Sequence, residues 1–366
     1  MRIYKQNNVF DEALKRIRWL FDEFDDVVVS FSGGKDSVVV YELTLIVARE
    51  RNRLPLKVLF LDQEAELQAT IDLMEEVMTS DEVEPMWFQI PMKIFNATSS
   101  DDPWIFCWDA DKEDVWMRPR VPYAITENVY GTDRFKAMFT AIMKHDFAPK
   151  SVNIGGVRGE ESPARLLSLT GAVTYKGETW GKLLDKDNDK YTFYPIYDWS
   201  YTDVWKSIHD NNWKYNKVYD QQFSWGVPVL EMRVSSLCHE TSVSNLKYLQ
   251  EVEKETWVKL TQRLKGIDTE GKFGKDLGCP KNLPYMFKTW HEYRDYLVEN
   301  LLPEGVGKDK ILKRFKTWDG WFGHLQRYYR VCINTILKND YHFTLLDNYR
   351  VANNKKKEDV TEDMYV

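Results

Sequence analysis

The β-branched run Val27-Val28-Val29 ends in Ser30-Phe31-Ser32-Gly33-Gly34-Lys35-Asp36-Ser37, and a long apolar stretch, SVVVYELTLIVAR, occupies residues 37–49. A short strand that is apolar without alternation belongs in a sheet covered on both faces. With the next apolar run, LKVLFL from Leu56 to Leu61, these segments form a β-α-β unit whose first turn is rich in glycine. Val9, Ala13, Ile17, Leu20, Phe21 and Phe24 recur at intervals of three and four, which predicts an amphipathic helix leading into the unit. A helix over Glu66–Met78 and strands over Met86–Ile90 and Ser151–Val157 continue the pattern. The expected fold class is α/β, a doubly wound parallel sheet over residues 1–212, followed by a mainly helical region over 213–366. Residues 95–133, rich in Trp, Asp and Pro, read as a long insertion over one end of the sheet.

Composition narrows the function classes. The chain has 366 residues, enough for one large or two moderate units, and its net charge of −7 argues against general binding to nucleic acid without a local basic patch. Four cysteines stand far apart with no C-x-x-C, so spacing suggests neither a disulfide framework nor a zinc site. No stretch reaches 18 apolar residues, and MRIYKQNNVFDEALKRIRWLF lacks the core of a signal peptide. The expectation is a cytoplasmic protein with no membrane span.

In an open parallel sheet, ligands bind at the carboxyl ends of strands, and a glycine turn entering a helix offers unpaired backbone N–H groups to an anion. Gly33 and Gly34 let the backbone approach phosphate oxygens, Ser32 and Ser37 can donate hydroxyl hydrogen bonds, and Lys35 adds positive charge. Asp36 suits Mg²⁺ bridging phosphates better than it suits bare phosphate. The pattern matches neither G-x-x-x-x-G-K-[ST] nor G-x-G-x-x-G. Further on, Ser162-Pro163 reads as an N-cap with proline at N1, predicting a helix over Pro163–Leu169. Arg158 and Arg165 could grip phosphate or sulfate bidentately, or pair with Glu160 or Glu161. Asp62, at the end of the second strand, could contact ribose or cap the next helix. Ser200 and Asp203 have capping-box spacing, and Trp199 and Trp205 read as packing residues.

The segment SGGKDS after an apolar strand resembles the PP-loop of the N-type ATP pyrophosphatases and of the phosphoadenosine phosphosulfate (PAPS) reductase family, which share an adenine-nucleotide α-hydrolase fold. GGVRGEESPAR (Gly155–Arg165) is similar to that family's G-x-R-x-x-E-S-x-x-R element, and YPIYDWSYTDVW (Tyr194–Trp205) to its P-[IL]-x-x-W-[ST]-x-x-D-[IV]-W element. The longer FLDQEAELQAT and the aromatic insertion look most like the IbrA-type subgroup. The resemblance implies ATP or PAPS as nucleotide, with Mg²⁺ at Asp36. It implies a nucleotide site made of Ser30, Ser32, Gly33, Gly34, Lys35, Asp36, Ser37, Asp62, Gly156, Arg158 and Arg165, in which Lys35, Asp36 and Arg158 act on the reacting phosphates.

The sequence departs from the reductases in two places. Gln63 and Glu64 replace their D-T-[GS], and there is no E-C-G-[IL]-H tail: Cys332 lies in the apolar YYRVCINTI, while Cys238 beside His239 could be a nucleophile or a structural thiol. The leading expectation is therefore ATP-dependent adenylyl transfer to an acceptor in sulfur or nucleic-acid-linked metabolism. The alternatives are a PAPS or APS enzyme, and a nucleotide-sensing regulator that acts with a ParB-like partner, as the IbrA resemblance implies; a homo-oligomer is compatible with all three. KDKILKRFK (Lys308–Lys316) could meet nucleic acid or form a solvated helix face.

Overall fold

The structure, a computed structural model, describes residues 6–98, 104–239, 246, 249, 253–264, 267, 279–302, 305–337, 340, 343 and 345–350. The chain forms two compact units: Met1–Lys93 with Phe106–Ser235, and Ile94–Ile105 with Ser236–Val366.

In the first unit, helix α1 (Val9–Glu23) begins at Asn8, whose side chain accepts from Asp11 N at 2.8 Å, and buries Ala13, Leu14, Ile17, Leu20 and Phe21. Strand β1 (Asp26–Ser30) runs through Gly34 into α2 (Lys35–Glu50), and β2 (Leu56–Leu61), α3 (Gln68–Met78) and β3 (Val83–Phe88) follow. After β4 (Met92–Phe95), β5 (Trp104–Cys107) and α4 (Phe135–Asp146) come β6 (Ser151–Ile154), α5 (Pro163–Thr170), β7 (Gly181–Asp185), β8 (Lys190–Phe193), α6 (Tyr201–Asp210) and α7 (Val218–Ser224). The main sheet has the order β3-β2-β1-β6-β8-β7. β1 lies centrally, with Val28 beside Lys57 of β2 and Val27 beside Val152 of β6, which is why Val27, Val28 and Val29 are all apolar and all buried.

The expected α/β fold is the one observed, with one difference: β7 pairs antiparallel with β8, so the sheet is parallel except at that edge. The signal for this hairpin was the polar DKDND that links GKLL to KYTF, where Asn188 Nδ2 donates to Asp185 at 2.9 Å and Asp189 takes φ +51°. The first unit also runs past residue 212 to Ser235. Val218 and Tyr219 are buried, and Asn216 Nδ2 donates to Thr70 Oγ1 at 2.8 Å, so the segment after α6 belongs to the α/β core. The insertion divides. Residues 94–105 belong to the second unit, while Ile125 continues the sheet edge beyond β3, donating to Trp87 O at 2.8 Å and accepting from Gln89 N at 2.9 Å.

The second unit contains helices α8 (Lys254–Arg263), α9 (Trp290–Leu301), α10 (Val306–Phe322) and α11 (Gln326–Leu337). Leu297, Ile311, Phe315, Trp318, Tyr328, Cys332 and Ile336 form its core, each large apolar side chain contributing about 1.5–3 kcal/mol by leaving water. Ile94–Ile105 is part of this unit: Phe95 packs on the core and Ala97 N donates to Cys238 O at 2.9 Å. Glu253, with φ −128° and ψ 72°, precedes α8 as a non-helical residue; residues after 350 lie outside the described residues. Among the described residues, no helix is long and apolar enough to cross a membrane.

Candidate functional site

From central β1 the chain adds β2 and β3 on one side and β6 and β8 on the other, so the strand order reverses between β1 and β6 while the strands stay parallel. This topological switch point is where open α/β sheets take ligands. Both strands end in glycine pairs there. Gly33 takes φ +72°, and a Cβ on it would stand 3.1 Å from Thr70 Cγ2. Gly156, following β6, lies so close to the first turn of α2 that a Cβ would come within 2.8 Å of Asp36 C and Ser37 N. The two motifs, more than 100 residues apart, therefore form one surface.

Asp36 is the link between them. Its carboxylate accepts from Lys35 Nζ at 2.8 Å and from Arg158 Nε. Arg158 is only 4% exposed and also reaches Glu160 Oε2 at 3.0 Å and Trp199 O at 3.4 Å, so its guanidinium is fixed before any ligand arrives. Ser37 Oγ donates to Gly34 O at 2.8 Å and accepts from Ser32 N at 3.3 Å, which closes the loop as an internal staple. Ser32 stays exposed, whereas Ser30 Oγ donates to Asn153 Oδ1 at 2.8 Å across the β1–β6 pair, a role in the sheet rather than toward a ligand. The Lys35 backbone N–H donates to the Tyr219 hydroxyl at 3.0 Å, and Lys35 Nζ lies 5.9 Å from the Tyr219 ring centroid.

The capping expectations hold: Ser162 accepts from Arg165 N at 3.2 Å and Ser200 from Asp203 N at 3.1 Å. For the two arginines, the ion-pair reading is observed, Arg158 with Glu160 and Arg165 with Glu161. Arg165 remains about half exposed, at 48%. Partial burial lowers its pKa, Asp36 opposes this, and Arg158 and Arg233 add to it, so these cations are near enough to feel one another. Sequence reasoning missed Arg233. Its peptide is clamped by Gln222 of α7, whose amide accepts from Arg233 N at 3.2 Å and donates to Arg233 O at 3.0 Å. No local motif marks Arg233, Gln222 or Tyr219.

Asp62, expected to contact ribose or to cap the next helix, is bonded otherwise. Fully buried, it accepts from Glu64 N (2.8 Å), Trp87 Nε1 (2.8 Å), Gln89 Nε2 (3.0 Å) and Arg118 Nη2 (2.5 Å), which commits its lone pairs to the protein instead of a ribose. The surrounding loop carries the insertion: Trp108 N donates to Glu64 Oε2 at 2.8 Å, and Arg118 Nη1 to Glu64 O at 2.6 Å. Holding the insertion through its carboxylate is a physical reason for Glu64 within the segment that replaces D-T-[GS]. Burial, with Asp62 nearby, pushes the Glu66 carboxyl up to about 8.

Residues 26–225 match the phosphoadenosine phosphosulfate reductase domain, and residues 226–325 match a domain of unknown function, DUF3440. The chain belongs to the phosphoadenosine phosphosulfate reductase domain family. The family domain takes in the whole main sheet, both glycine motifs and Tyr219, while Arg233 falls just beyond it, in the DUF3440 match. The chain is 28% identical over 324 residues to the uncharacterized protein YbdN of Escherichia coli (strain K12), covering 83% of this chain and 78% of that one. Among solved structures, it is similar to a PAPS reductase from Candida auris in a phosphate complex (11% identity, 60% of this chain, 93% of that one, TM-score 0.33). Another is an FMN adenylyltransferase from Candida glabrata (13% identity, 59% and 62%, TM-score 0.35).

The thiols of this family member are mostly withdrawn from solvent. Cys107, Cys238 and Cys332 are buried, Cys107 Sγ lies 3.1 Å from Gln63 O, and burial pushes Cys332 up to about 12. Cys279 is half-buried and also raised, with Arg330 opposing the shift.

Proposed function

We propose that the first unit binds ATP at the β1–β6 switch point and transfers its adenylyl group to an acceptor oxygen. The observation that carries this reading is the junction at Asp36, where a buried arginine and a lysine meet against a glycine turn that opens a helix. A polyphosphate entering the turn would meet the N–H groups of the first turn of α2 that follow Lys35, whose own N–H donates to Tyr219. Lys35 would then exchange Asp36 for phosphate oxygen, while Arg158, held by Asp36, Glu160 and Trp199 O, keeps its place. Arg165, whose pKa responds to Asp36, Arg158 and Arg233, would add to the positive field there. Attack by the acceptor oxygen on the α-phosphorus would break the bond to the bridging oxygen of the β-phosphate. Pyrophosphate leaves and the acceptor's proton passes to water. Prearranged cations of this kind act on charge that develops in the transition state.

The donors present fit Mg²⁺ only as part of a nucleotide complex. Among the described residues no group of three or more His, Cys, Asp or Glu is placed to hold a metal, and both Asp36 oxygens are engaged. Mg²⁺ keeps most of its shell as water and phosphate and needs one or two carboxylates, which Asp36 can supply once Lys35 moves away. The ion would offset charge on the departing pyrophosphate. Three buried thiols and a raised fourth favour adenylyl chemistry over reduction by the chain's own cysteine.

Calorimetry with ATP and with PAPS, paired with a pyrophosphate-release assay across sulfate, carboxylate and nucleic-acid acceptors, tests this. Binding of ATP and release of pyrophosphate that fail in Lys35→Ala support it. Binding of neither nucleotide at millimolar concentration refutes it, and tight binding of PAPS with no response to ATP moves the protein to sulfonucleotide chemistry.

A further inference from the structure

The second unit contains a cavity of about 410 Å³ lined by Lys281, Asn282, Leu283, Trp290, Gln326, Arg327 and Arg330. Three of the lining side chains are cationic and none is acidic. The walls come from separate segments: the loop after Cys279, the first residue of α9 and the first turns of α11. Their relative positions are pinned. Cys279 N donates to Asn334 Oδ1 at 2.7 Å, Arg330 Nη2 donates to Pro280 O at 3.3 Å, and the Arg330 guanidinium lies 5.1 Å from the Trp290 ring centroid.

Lys281 and Arg327 are exposed and have no ion-pair partner among the described residues. The same loop presents an aromatic ring to water. Phe287 anchors it, with ring centroids 4.8 Å from Tyr293 and 5.2 Å from Tyr296, whereas Tyr285 is 96% exposed. Unpaired cations around a pocket, an aromatic wall and a solvated tyrosine on the same loop form the combination that takes a single nucleic-acid strand: cations on the phosphates, rings against the bases.

We propose that this pocket binds single-stranded nucleic acid, a backbone phosphate lying among Lys281, Arg327 and Arg330 and a base stacking on Tyr285. The site is local, which reconciles it with the net charge of −7. It is distinct from Lys308–Lys316. There the helix α10 buries Ile311 and Phe315 and leaves Lys310, Lys313 and Lys316 exposed, as a solvated face does. The proposal does not depend on adenylyl chemistry in the first unit.

The test is fluorescence anisotropy on the full chain with labelled 12-nucleotide single strands of RNA and DNA, a duplex, inorganic phosphate and AMP as competitors, and a phosphopeptide. The expected result is preference for a single strand and affinity at least tenfold lower in Lys281→Glu/Arg327→Glu. The slope of log affinity against log salt should become shallower by about 0.7, the share of the one phosphate contact that the pocket makes on a single strand. Tyr285→Ala should weaken binding about fivefold or more with the slope unchanged, which a purely electrostatic patch would not do. These side chains are exposed, so the variants should keep the parent's circular dichroism and melting temperature. The proposal is overturned if no oligonucleotide binds, if duplex binds as well as single strand, if only phosphate, AMP or the phosphopeptide binds, or if Lys310→Glu/Lys313→Glu/Lys316→Glu lowers affinity as much as the pocket variant.

Discussion

β1 and β2 are neighbouring parallel strands that end at the same edge of one sheet, yet their following loops are put to opposite uses. After β1, glycines allow close backbone approach, and Lys35 is paired with Asp36 at the mouth of the turn. After β2, acids turn inward: Asp62 takes four donors, and Glu64 and Glu66 lie buried beside it. One loop ties its polar groups to its own turn and to the glycine motif after β6, and the other consumes them to hold an insertion. Position at a strand's carboxyl end thus says where a ligand can lie, while the partners of each side chain decide whether the side chain can greet it.

The contrast breaks most visibly at Asp62. Asp62→Ala leaves the Arg118 guanidinium and the Trp87 and Gln89 donors without their acceptor, and should lower stability by about 3–5 kcal/mol, read by urea denaturation. Weaker ATP binding with little loss of stability would instead place Asp62 in the nucleotide site. Glu66 sharpens the same loop through pH. Its folded value of about 8 lies above the ordinary 4.5, so the folded state holds the proton more tightly than the unfolded one. Its stabilising effect is complete below pH 4.5 and is lost as pH rises toward 8, at no more than about 1.4 kcal/mol per pH unit. Denaturation of Glu66→Gln at pH 5, 7 and 9 should show a flatter profile than the parent. On the other loop, Lys35→Ala should reduce ATP affinity roughly tenfold to a hundredfold, the range of a charge-assisted hydrogen bond, with the melting temperature nearly unchanged. The smallest effect is expected at Ser200→Ala, about 1 kcal/mol of stability from the lost cap and no change in nucleotide affinity.

Much of the first loop was legible because its signal is local: a buried central strand needs an unbroken apolar run, and a left-handed turn needs Gly33. Asp62 was not. A carboxylate at a strand end has the same sequence appearance whether it faces ribose or indole, and what decides is Trp87, Gln89 and Arg118, the last arriving from 56 residues away. Tyr219 and Arg233 were illegible for a related reason, since Tyr219 reaches Lys35 across 184 residues and Arg233 is presented by a glutamine on another segment. The β7–β8 hairpin did carry a readable signal in DKDND, and the expectation of helices separating every pair of strands obscured it.

The chain's visit to the second unit between Ile94 and Ile105, before its final departure after Ser235, makes the protein a poor candidate for simple dissection. A stop codon at residue 236 would strand Phe95 and Ala97 without the core and the carbonyl that receive them. Obtaining the sheet by itself requires two cuts and a short graft joining Lys93 to Phe106. Any gene fragment that ends at the family domain's boundary should be expected to yield sticky, poorly behaved material for that reason alone.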